Sequence, residues 1–209
     1  MSMPDIHVPT LEAHGTGHSI FKILLEVVLI GIGVFLGLAG EQWRENARHR
    51  ELAERTLRRL RAEIVENRQA VIDVKDYHVS LAKDLKKYFA TEPAQRKADN
   101  VHFTKGFSPA RLSHTAWDLT LANQSLVYIE SDLGFALSDL YQTQDQLTAM
   151  TMGLTQAMYI NPPDEALTRF FASVYVYDGD ATLIEPQLVK AFDAILPRID
   201  KALLDASAK

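Results

Sequence analysis

Apolar residues follow two different patterns along this 209-residue chain. From Ile20 to Gly40 they are continuous, interrupted only by Lys22 and Glu26. From Trp43 to Tyr88 they recur at alternating steps of three and four, in a stretch without Gly or Pro. The first pattern predicts a transmembrane helix. At 1.5 Å per residue, about 21 residues cover roughly 31 Å, the thickness of a hydrocarbon core. The second predicts a long amphipathic helix with a heptad seam through Trp43, Asn46, Arg50, Ala53, Leu57, Leu60, Ile64, Asn67, Val71, Val74, His78, Leu81, Leu85 and Tyr88. The seam is strongest from Ala53 onward. Asn67 and His78 are its polar members. A buried Asn can fix register and a His can titrate, although a hydrogen-bonded core residue is the commoner case.

Beyond Tyr88 the punctuation predicts shorter elements. Glu92-Pro93 ends the long helix, and residues 94–108 read as a loop. Ser108-Pro109 or Ser113 caps a short helix through Trp117 and Leu121, which Asn123-Gln124-Ser125 breaks. Leu126 to Ile129 is β-prone but too short for a sheet. Ser131-Asp132 opens a further long helix along Leu133, Leu137, Leu140, Gln144, Leu147, Thr151, Leu154 and Met158, and Asn161-Pro162-Pro163 stops it. Another helix runs through Phe171 to Tyr175. Asp178-Gly179-Asp180 reads as a turn, and Pro186 opens the last helix, with a kink at Pro197. The expected fold is all-α. A tail (1–19) leads into a transmembrane helix (20–40), which continues into a long heptad helix (41–92). The remaining helices (93–209) complete an antiparallel helical bundle, with 41–209 as one soluble domain.

Three other readings of the apolar run compete. A core helix of a soluble protein is usually shorter, with fewer glycines. A signal peptide needs a basic leading region, and residues 1–19 hold no Lys or Arg, although Gly37-Leu38-Ala39 could mimic a cleavage site. An interfacial helix needs a charged face, which is missing. At the membrane interface, Lys22 can snorkel, Trp43 suits the headgroup zone, and Arg44 and Arg48 open an arginine-rich stretch reaching Arg61. The tail carries Asp5 and Glu12 instead. This asymmetry predicts the soluble domain on the cytoplasmic side. The arginines could also attract anionic headgroups, or be a solvated face with local pairs such as Glu51–Arg55 and Glu54–Arg58.

Glu26, Gly33, Gly37 and Gly40 share one helix face at 100° per residue. Small residues let two helices approach closely in lipid, and a carboxyl there usually faces a partner or water. A homo-oligomeric helix contact is the expectation. The alternative is that Glu26 pairs with Lys22 one turn away and the glycines are ordinary membrane-helix composition.

Charge and composition narrow the chemistry. A net charge of −5 argues against general nucleic-acid binding, and the absence of cysteine excludes disulfide and thiol chemistry. There is no P-loop, GxGxxG, HExxH or GxSxG. His7, His14 and His18 lie in the glycine-containing tail and are weak metal candidates; Asp178-Gly179-Asp180 is too short for a calcium loop. No catalytic residue, metal or cofactor is expected.

Leu24-Leu25-Glu26, Ile30-Gly31-Ile32-Gly33 and Gln42-Trp43-Arg44-Glu45-Asn46 form an LLE…IGI…QxWxEN-type segment. This N-terminal part resembles a family of uncharacterised bacterial single-span membrane proteins with a helical C-terminal domain. Thr115-Ala116-Trp117 and Leu140-Tyr141 resemble later elements of that family. The resemblance implies a membrane-anchored helical domain and no assigned activity. Members often have basic residues before the span, which this chain lacks. The expectation is therefore a single-pass protein of the bacterial plasma membrane, serving as a non-catalytic interaction or scaffolding module with the bilayer, a second copy and an unidentified protein as partners. The alternative is a periplasmic sensory or ligand-binding helical domain.

Overall fold

The computed structural model describes residues 16–160 and 163–207. The tail through residue 15, with His7 and His14, and the stop at Asn161-Pro162 lie outside the described residues. Among the described residues there are four α-helices and no strand: α1 (Thr16–Ala90), α2 (Thr115–Ala122), α3 (Ser131–Ile160) and α4 (Pro163–Ser207). Helix already runs from Thr16, so Gly17 and His18 belong to α1 and not to the tail. The chain divides into two compact units, Met1–Arg48 and His49–Lys209.

The first unit holds the apolar part of α1, a helix long and apolar enough to cross a membrane. Every residue from Leu24 to Gly40 is exposed. A methyl group placed on Gly31, Gly33, Gly37 or Gly40 would meet nothing within 4 Å.

The second unit is an antiparallel bundle of four legs. The first is α1 from His49 to Ala90, whose seam is buried from Leu57 to Tyr88. Arg96 closes this leg at its C-terminal end. Its guanidinium donates to the carbonyls of Thr91 (3.0 Å) and Phe89 (3.3 Å) and lies over the Tyr88 and Phe89 rings. A cation there suits the carbonyl-rich helix terminus.

The second leg, residues 91–130, retraces α1 in reverse. Going down α1, Asp84 meets His102, Tyr77 meets Gly106, His78 meets Ser108, Asn67 meets Ser113, and Thr56 meets Ser125. This leg is mostly irregular, with two single-turn 3-10 helices (Pro93–Gln95 and Ala98–Asn100), the two-turn α2, and a final 3-10 turn at Ser125–Tyr128. Gly106 (φ +62°) and Gln124 (φ 57°) take the left-handed conformation where it bends. Leu126 to Ile129 is accordingly turn, not strand.

Helix α3 then runs parallel to α1, and α4 returns antiparallel to both. Arg61 pairs with Asp200 (2.5 Å) and Arg68 with Asp193 (2.6 Å) across α1 and α4. Glu130, not Ser131, caps α3: its carboxylate accepts from the backbone N–H groups of Asp132 (3.0 Å) and Leu133 (2.9 Å).

The helix boundaries expected in the last third differ from those observed. Asp178-Gly179-Asp180 is not a turn, and Pro186 opens nothing; both lie inside α4, whose one non-helical residue is Ala166 (φ −142°, ψ 46°). A proline inside a helix removes one hydrogen bond and costs about 3 kcal/mol of intrinsic preference. Burial on one face of Val174, Ala181, Leu188, Phe192 and Ile199 outweighs that preference. Gly179 faces open space in a helix interior. Gly179→Ala should therefore stabilise the bundle by roughly 0.5–1 kcal/mol, raising the melting temperature by about 2–4 °C. A lower melting temperature would contradict a helix through this position.

Candidate functional site

Four polar residues of α1 turn inward: Thr56, Glu63, Asn67 and His78. Each meets partners from other legs, and two buried polar clusters result.

The first centres on Glu63 and Asn67. One Glu63 oxygen accepts from Tyr141 Oη (2.8 Å) on α3. The other accepts from Ser113 Oγ (2.8 Å) and the Ala116 backbone N–H (2.7 Å). Glu63 thereby caps α2 from another leg. The N-cap residue is His114, which makes no side-chain cap of its own; neither Ser108 nor Ser113 fills that role. Asn67 reads both backbone groups of Ser113: Oδ1 accepts its N–H (2.7 Å), and Nδ2 donates to its carbonyl (2.8 Å) and to Gln144 Oε1 (2.7 Å). Trp117 stacks on Tyr141 at 4.8 Å. Burial, with the nearby Glu63 charge, pushes the Tyr141 hydroxyl well above its ordinary range, so Tyr141 is a permanent donor.

The second cluster is ionic. His78 Nδ1 lies 2.7 Å from Glu185 Oε1 on α4, and Nε2 lies 3.0 Å from the Ser108 carbonyl. Both partners are acceptors, so the ring satisfies both only as imidazolium. Burial opposes the charge, but the Glu185 hydrogen bond and charge, the Asp178 charge and the Ser108 carbonyl together raise the His78 pKa above its ordinary value. Asp178 is buried in the same cluster. Burial pushes its carboxyl up to about 7, against the attraction of His78 and reinforced by the Glu185 charge. With Asp178 protonated, the imidazolium and the Glu185 carboxylate balance. Asp178 Oδ2 and Glu185 Oε2 are buried without a hydrogen-bond partner among the described residues. No set of three side chains there could hold a metal ion, again among the described residues.

Tyr177 connects this cluster to the surface. Its ring meets His78 edge-on at 5.8 Å, and its hydroxyl lies 3.3 Å from Thr151 Oγ1. The same ring lines a cleft of about 380 Å³ between α3 and α4, together with Met150, Gly153, Leu154, Ala157, Val176, Ser173 and Asp180. Of the three methionines on α3 (Met150, Met152 and Met158), Met150 lines the cleft.

The residues expected at the membrane lie elsewhere, in the first unit. Glu26, Gly33, Gly37 and Gly40 share one face of α1. Trp43 is 76 % exposed. Arg44 pairs with Glu41 (2.6 Å). In the arginine-rich stretch, Arg55 pairs with Glu51, Arg58 with Glu54 (2.6 Å) and Arg61 with Asp200, which neutralises much of its charge. Glu63, Asp178 and Glu185 were not legible as site residues. The available signal was weak: Glu63 borders the seam, and the two α4 acids fall on the helix's apolar side.

No protein-family model, curated protein or solved structure matches the chain.

Proposed function

We propose that this chain is a membrane-anchored, non-catalytic interaction or scaffolding module, held in a bacterial plasma membrane by residues 20–40 with its bundle in the cytoplasm. The observation that carries this reading is the uninterrupted exposure of Leu24 to Gly40, an apolar surface of a kind water disfavours and lipid does not. The resemblance of the LLE…IGI…QxWxEN-type segment to single-span bacterial proteins agrees with it. Glu26, Gly33, Gly37 and Gly40 form the face for a second copy. Since a side chain at Gly33 meets nothing in its own chain, Gly33→Ile tests that face without disturbing the fold. It should abolish self-association in a membrane two-hybrid assay; unchanged association would rule the face out.

A second reading is favoured by the cleft over Tyr177: a ligand-binding or sensory helical domain on the periplasmic side. Its size suits a small molecule, with apolar walls and a few polar groups. A C-terminal reporter active only in the cytoplasm separates the two. Activity supports the interaction module; silence, with activity of a periplasmic reporter, supports the sensor.

A further inference from the structure

Unit 2 has an end at His49, where the chain arrives from the apolar segment, and the tip of the second leg lies at that end. We propose that this tip, the turn after α2, rests on the bilayer surface as a second lipid contact. The proposal builds on the anchor reading above.

From Leu119 to Ile129 the chain carries no charged residue, although Asp118 and Glu130 flank it directly. A turn at the tip of a soluble bundle is ordinarily polar. This one leaves Val127 73 % and Tyr128 40 % exposed, and Leu119 and Leu121 on the preceding α2 are exposed too.

Neighbouring side chains of the tip are tied to the rest of the bundle. Buried Ser125 bonds Thr56 (3.0 Å). The Tyr128 ring stacks on His49 at 4.1 Å. The Leu126 side chain reaches within 3.5 Å of where a Cβ on Gly134 would stand. An apolar tip tied down by such contacts before it meets a surface loses little freedom there.

The tether identifies the surface. Residues 41–48 alone separate Gly40 from His49. Even fully extended, that segment reaches no further than about 30 Å, and in a helix it spans roughly 12 Å. This end of the bundle therefore stays beside the bilayer whenever 20–40 spans it. Tyrosine, with an apolar ring and a polar hydroxyl, suits the headgroup zone, as Trp43 does. A protein partner could cover the same tip only by competing with a lipid surface that the tether keeps at high local concentration.

The chain has no cysteine, so single labels are unambiguous. Full-length Val127→Cys, Val34→Cys and Val79→Cys would each carry an environment-sensitive fluorophore in phosphatidylethanolamine–phosphatidylglycerol vesicles. Nitroxide lipids of graded depth serve as quenchers. Val79, 53 % exposed and further along α1, is the aqueous control. The proposal expects loss of fluorescence for Val34→Cys with deep nitroxides, loss for Val127→Cys with shallow ones, and none for Val79→Cys. Val34→Cys quenched while Val127→Cys behaves like Val79→Cys overturns the surface contact and leaves the anchor standing. Val34→Cys unquenched overturns the anchor, and the contact with it.

Discussion

Raising the pH from 5 to 8.5 is expected to lower the stability of the bundle by about 3 kcal/mol through Asp178 alone. Its carboxyl ionises at the ordinary value of 3.8 in the unfolded chain but only at about 7 in the fold. Between those values the fold binds a proton the unfolded chain has lost, so stability falls as pH rises through that window and then levels off. His78 acts in the same direction. Its folded pKa is raised above 6.5, so its contribution is complete below 6.5 and disappears as pH climbs past the folded value. Most soluble domains gain stability on leaving acid; this bundle should lose it. Thermal unfolding of the full chain in nanodiscs should show a melting temperature falling by roughly 5–10 °C over this range. Asp178→Asn should flatten the curve and leave the variant more stable than the parent at pH 8.5. Parallel curves for the two proteins would show that Asp178 titrates normally and that the cluster is not built as described.

Glu63→Ala is expected to cost about 4 kcal/mol or more. The substitution leaves Tyr141 O–H, Ser113 O–H and the Ala116 N–H without their acceptor, each worth roughly 1–3 kcal/mol when buried and unpaired. It also removes the cap of α2. Glu63→Gln keeps one oxygen in place and should cost visibly less, which separates loss of the acceptor from loss of the charge. Denaturant unfolding of both variants measures the difference. Equal, small losses would mean that the second leg is held by its apolar contacts alone.

The parts of this fold legible in the sequence are those governed by local period. The seam from Leu57 to Tyr88 is read from steps of three and four because one helix face is buried along its whole length. Asn67 and His78 stand in that seam and are hydrogen-bonded core residues. The apolar run at 20–40 is equally plain. What escaped reading is long-range. Glu63 and Tyr141 lie 78 residues apart, and His78 and Glu185 lie 107 apart. Only its place on the apolar side of α4 sets Glu185 apart from a solvated acid, and that is a weak signal. Gly179 and Pro186 punctuate α4 by every local rule, yet packing against α1 and α3 carries the helix through both. Residues 94–108 read as a loop and hold only single-turn 3-10 helices, whose local bonds leave no period in the sequence. Side chains of α1 fix their place: Tyr77, His78 and Asp84 bond Gly106, Ser108 and His102.

That arrangement makes α1 a ruler. Its marks are Thr56, Glu63, Asn67 and His78, and each accepts only one place on the chain lying beside it. Sliding α1 by a single residue would rotate it by 100° and pull every mark off its target at once. Greasy contacts alone tolerate such slippage; these graduations do not, so the bundle has one correct alignment and no near misses.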